Sequence, residues 1–106
     1  MMAFTKVDKQ RRINLFMDIL DYAKFDCGNG TKYMIVNAND DGTEFDIVPE
    51  KDDLCVDGTV RLDSKGRVFI PSWIEKVSPG DYFRVSAYRG RIHVRRVSKE
   101  DVESNP

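Results

Sequence analysis

Residues 60–85 read VRLDSKGRVFIPSWIEKVSPGDYFRV, and the fold expected of the chain turns on them. The stretch and its flanks break into short runs separated by turn-forming residues: TVRLD before SKG, RVFIP after it, SWIEKV before SPG, then DYFRVSAY, Arg89-Gly90 and RIHVRRVS. Runs rich in β-branched and aromatic residues between clusters of Gly, Pro, Ser and Asp are the signature of short strands. Four strands and one short helix, over Ser72–Val77, are predicted. Gly66 permits a tight turn, and Pro71 pre-sets the backbone of the first helical turn. Alternation in the last strand places Ile92 and Val94 on one face and Arg91, His93 and Arg95 on the other.

Outward from this stretch, the charge is uneven. The 106-residue chain has 17 Lys and Arg against 18 Asp and Glu, a net charge of −1. Residues 1–58 hold seven basic and twelve acidic residues (net −5), residues 59–99 hold ten and three (net +7), and the remainder adds −3. A basic half of this kind is expected to meet a polyanion, or to be neutralised by the acidic half at an interface. Neutrality overall excludes a chain coated with cations for bulk binding. The N-terminal residues MMAFTKVDKQRR run into an amphipathic segment with no apolar stretch of signal or membrane-spanning length, so a cytoplasmic protein with no membrane partner is expected.

In residues 9–24, Ile13, Phe16, Met17, Leu20 and Ala23 fall at helical spacing, which predicts one helix with Asp8 as its N-cap and Cys27-Gly28-Asn29-Gly30 as its stop. Lys9, Arg11 and Arg12 then lie in its first turn as an ordinary solvated end. Tyr33–Asn37 and Thr43–Val48, around a polar turn ending in Asp41-Gly42, read as a β-hairpin. Its Asn37-x-Asn39-x-Asp41-Gly42 run resembles half of a calcium loop, but Val48 stands where the bidentate Glu is required, and no metal is expected. Cys27 and Cys55 read as reduced packing residues. Asp40/Asp41 and Asp52/Asp53 read as turn and solvation residues, since neighbouring side chains diverge in an extended chain. His93, the single histidine, reads as a surface or cross-strand residue. No nucleophile, base or phosphate loop is assembled, so neither an enzyme nor a cofactor is expected. The tail KEDVESNP is expected to fray.

Nucleic-acid binding has firmer support. Ten basic residues between Arg61 and Lys99 would be displayed on one sheet face and in turns, where they can neutralise phosphates and reach base edges.

The order in 60–85 resembles the swapped-hairpin domain of the AbrB, MazE and SpoVT family. The shared elements are Leu62-Asp63, the spacer Ser64-Lys65, Gly66-Arg67, Val68-Phe69-Ile70-Pro71, a short helix, Pro79-Gly80-Asp81 and two further strands. That resemblance implies an α+β fold: an N-terminal helix and β-hairpin (1–58), a swapped-hairpin β-barrel half (59–98) completing its core as an intertwined homodimer or higher oligomer, and an acidic tail (99–106). Val60, Leu62, Val68, Ile70, Ile74, Val77, Phe83 and Val85 would form the shared core. It also implies a DNA-binding transcriptional regulator contacting double-stranded DNA through Arg67 and Lys76, with Arg61 and Lys65 beside them. Val60 and Glu75 occupy positions that are basic in DNA-binding members. An alternative on the same fold is a protein-interaction module whose acidic residues 1–58 bind a basic partner instead.

Overall fold

The computed structural model describes residues 1–26, 30–51 and 56–104. In chain order the elements are β1 (Met2–Lys6), β2 (Arg12–Asn14), α1 (Met17–Ala23), β3 (Thr31–Val36), β4 (Glu44–Pro49), β5 (Gly58–Leu62), β6 (Arg67–Phe69), β7 (Tyr82–Tyr88), β8 (Arg91–Val97) and α2 (Lys99–Glu103). Six strands form one antiparallel sheet in the order β1-β7-β8-β4-β3-β5, and β2 pairs with β6 in a separate two-stranded ribbon.

This order is its own reverse when β1 is exchanged with β5, β3 with β7 and β4 with β8. The registers obey the same exchange. The β4–β8 pairing is centred on Asp46 opposite His93, with Phe45 opposite Val94 and Ile47 opposite Ile92. The ribbon is centred on Ile13 opposite Val68. Two backbone bonds cross between the halves reciprocally: Leu15 N–H donates to the Gly66 carbonyl (2.8 Å) and Ile70 N–H to the Arg11 carbonyl (2.7 Å). The chain therefore consists of two interleaved halves related by a pseudo-two-fold axis through Ile13/Val68 and Asp46/His93.

Burial follows from strand alternation. Val7, Ile13, Leu15, Ile35, Phe45 and Ile47 of the first half interdigitate with Leu62, Val68, Ile70, Val85, Ile92 and Val94 of the second in a single cluster. All eight residues expected in the shared core are buried, none more than 7% exposed. The hairpin expected around Asp41-Gly42 is formed by β3 and β4, and the four strands expected after Thr59 are β5 to β8.

Three expectations are overturned. The α+β class fails: among the described residues there are eight strands and only two helices, of seven and five residues. The N-terminal helix over 9–24 shrinks to α1, and it is preceded by two strands. Asp8 does not cap a helix; its carboxylate accepts the N–H of Gln10 and of Arg12 and closes a turn between β1 and β2, a local bond that competes directly with helical pairing. Ile13 and Leu15 are then buried by alternation around the half-exposed Asn14. Strands β1 to β4 of the same chain pack on the second half in one cluster. The short helix expected over Ser72–Val77 is also absent. That segment is a pair of turns whose carbonyls at Pro71, Ile74 and Val77 accept the Arg11 guanidinium (3.3, 2.7 and 2.6 Å).

The acidic tail forms α2, one turn closed by a reciprocal capping box between Ser98 and Asp101. No helix among the described residues is long and apolar enough to cross a membrane. The expectations for Cys27, Cys55, Gly28, Asn29, Asp52 and Asp53 lie outside the described residues.

Candidate nucleic-acid interface

Each strand of the ribbon is entered through the same turn. Asp63 accepts the N–H of Lys65 (2.9 Å) and Arg67 (2.8 Å) and the Nε–H of Arg67 (2.8 Å). Asp8 accepts the N–H of Gln10 and Arg12 (both 2.9 Å) and the Nε–H of Arg12 (2.8 Å). Position four of each turn has a left-handed backbone, Arg11 at φ 61° and Gly66 at φ 80°. Both carboxyls are held below the ordinary Asp value. For Asp8 the main cause is the Arg12 backbone N–H; for Asp63 partial burial acts upward but is outweighed by the Arg67 backbone N–H, its guanidinium and the Lys65 N–H.

The turns place two arginines diagonally across the outer face of the ribbon. Arg12 stands opposite Phe69 and Arg67 opposite Asn14, while Ile13 and Val68 between them point into the core. The Arg12 guanidinium lies 5.8 Å from the centroid of the Phe69 ring, which is 59% exposed. Each guanidinium is fixed at Nε by its own aspartate. Neither donates from Nη to any described residue. Lys9 and Lys65 are exposed in the two turns, and Lys6 and Arg61 are exposed on the strands leading into them.

Of the four residues singled out in the sequence, Lys65 and Arg67 share one turn and Arg61 lies on the strand that enters it, with one Nη donating to the Gly30 carbonyl (3.0 Å). Lys76 falls elsewhere. It sits in the 72–77 turns, where its charge helps hold the Asp41 carboxyl below its ordinary value, behind the larger effect of the Thr43 hydroxyl and N–H. It is not brought onto the ribbon. Glu75 lies in the same segment.

Sequence reading missed Arg12, treating it as the end of a helix. The signal available was an internal repeat: Val7-Asp8-x-x-x-Arg12-Ile13 matches Leu62-Asp63-x-x-x-Arg67-Val68, and the same short turn motif at two places in one chain asks for the same conformation at both.

Part of the remaining charge is paired between the halves. On the outer face of the main sheet, acidic β4 lies against basic β8. Asp46, 3% exposed, accepts from Asn37 Nδ2 (3.0 Å) and Arg91 Nη1 (3.2 Å), and its Oδ1 lies 2.7 Å from His93 Nδ1. His93 Nε2 is 2.9 Å from Glu44 Oε2. Burial pushes the Asp46 carboxyl up, but Asn37, His93 and Arg91 together hold it below the ordinary value. His93 is indeed a cross-strand residue, wedged between two carboxylates supplied by the neighbouring strand.

These features define an antiparallel β protein with a pseudo-two-fold arrangement of strands and a two-stranded ribbon carrying a pair of aspartate-fixed arginines. Comparison with protein-family models, with curated proteins and with solved structures finds no match.

Proposed function

We propose that the chain binds double-stranded DNA through the outer face of the β2–β6 ribbon and acts as a transcriptional regulator. The observation that carries the reading is the pair Arg12 and Arg67, each held at Nε by its own aspartate with the Nη groups unspent on described residues. A guanidinium fixed on one edge keeps a preorganised fork for a phosphate or for a guanine edge, so less side-chain freedom is lost on contact. A two-stranded ribbon is narrow enough for the major groove. Lys9 and Lys65, exposed in the same two turns, flank the pair and supply positioning contacts to phosphates. The resemblance of residues 60–85 to the AbrB, MazE and SpoVT domain supports the same assignment for Arg67, and the matching turn extends it to Arg12.

The test is a mobility shift on random-sequence duplex over a salt titration. Wild-type chain is expected to retard the duplex at low salt and to lose affinity steeply as salt rises. Arg12→Gln with Arg67→Gln should weaken retention at least about tenfold and flatten the salt slope by about two counter-ions. Lys9→Gln with Lys65→Gln changes only exposed side chains and should also flatten the slope, which keeps the test open should the arginine pair be needed for folding. Absence of salt-dependent retardation by the wild type, or indifference to both pairs of substitutions, would overturn the assignment.

A further inference from the structure

We propose that a single chain presents both halves of the duplex-binding surface, and that the DNA it selects is consequently non-palindromic and bound by one copy. This rests on the duplex-binding reading of the ribbon and specifies its stoichiometry and the symmetry of its target.

The pseudo-two-fold axis passes through Ile13 and Val68, the pair directly beneath the outer face of the ribbon. It relates Arg12 to Arg67 across that face. A surface built about such an axis matches the local two-fold symmetry of a duplex, the geometry usually achieved by two identical chains. Here both contributions come from one chain whose two halves share a single core cluster.

Covalent fusion removes the constraint that the halves be identical, and on this face they differ. Lys9-Gln10 corresponds to Ser64-Lys65, and Asn14 corresponds to Phe69. Asn14 and Phe69 each lie opposite one of the arginines, so one half sets an amide beside Arg67 and the other an exposed ring beside Arg12. Asn14 Oδ1 accepts the Phe16 N–H (2.8 Å), so its Nδ2 is the group that can donate to an acceptor on a base edge, whereas an exposed ring offers apolar contact to a thymine methyl or a wedge between bases. Two half-sites read by different chemistry cannot be equivalent. The ribbon therefore fixes the orientation of the chain on its site.

The experiment is selection of wild-type chain against a random duplex library, followed by native mass spectrometry of the chain on the recovered duplex. A non-palindromic consensus with one chain per duplex is expected. Phe69→Asn, which makes the halves alike at an exposed position, should shift the recovered consensus toward a palindrome while keeping one chain per duplex. A palindromic consensus for the wild type, or two chains per recovered site, would overturn the proposal while leaving duplex binding by the ribbon intact. Failure to retain any duplex at low salt would overturn both.

Discussion

Arg11 and Gly66 occupy equivalent places in two copies of one turn, and their difference shows how a single residue divides its effects. The turn demands a left-handed backbone, which costs a side-chain-bearing residue about 1–2 kcal/mol and glycine almost nothing. Arg11 offsets this by donating to three carbonyls of the 71–77 segment. Arg11→Ala should therefore destabilise by about 1–3 kcal/mol in urea unfolding, the worth of charged hydrogen bonds of this kind, and Arg11→Gly should lie about 1 kcal/mol above Arg11→Ala because it relieves the backbone. Equal losses would show that the backbone carries no strain. Gly66 has no such latitude, since a methyl there would meet Leu20 Cδ1 at 3.1 Å on top of the unfavourable φ. The tight turn at Gly66 was legible from its type, whereas the left-handed Arg11 was not, because nothing local distinguishes it from a helical arginine. Asp46 provides a second prediction. Its folded-state pKa lies below the ordinary 3.8, so between those values the unfolded chain binds more protons and stability rises with pH. The contribution is present above 3.8 and lost as pH falls through the folded value. Asp46→Asn should cost about 1.5–3 kcal/mol at neutral pH, with the gap to wild type narrowing in acid; a gap independent of pH would contradict the ion-pair account.

At the scale of elements, the Asp-x-x-x-Arg turn is the repeated unit. Asp8→Ala and Asp63→Ala remove the same three acceptor contacts and should each lower the melting temperature measured by circular dichroism. An effect at only one site would argue that the turns are not equivalent. Ile13, fully buried at the centre of the ribbon, should cost about 2–5 kcal/mol on truncation to Ala. Strands β5 to β8 and the β3–β4 hairpin were legible because alternation and turn chemistry are local signals. Strands β1 and β2 were not. Ile13, Phe16, Met17, Leu20 and Ala23 satisfy a helical period, but three-residue β2 owes its conformation to β6, more than fifty positions away in sequence. The Asp8 turn then excludes the first half of the expected helix. At 72–77 the helical reading failed for a related reason: the carbonyls there are claimed by Arg11, a partner that no local window contains.

Over the whole molecule, part of the charge of the two halves is paired where β4 meets β8 and Asp46 and Glu44 meet Arg91 and His93. The basic residues left outside that pairing include those on the ribbon face, which is the surface proposed to meet DNA. Sequence reading identified the core residues of the second half correctly, and it placed Arg61, Lys65 and Arg67 around one turn, while expecting their packing partner in a second copy. Size alone encouraged that step, since a segment of about forty residues cannot bury an adequate core. Strands β1 to β4 of the same chain pack on these residues, a layer hidden by the helical reading of residues 9–24. On this packing each chain is predicted to be stable as a single copy. Multi-angle light scattering at micromolar concentration tests this most directly. A molar mass of 12.2 kDa, that of one chain, is predicted across the concentration range, and a stable species of twice that mass persisting on dilution would contradict it.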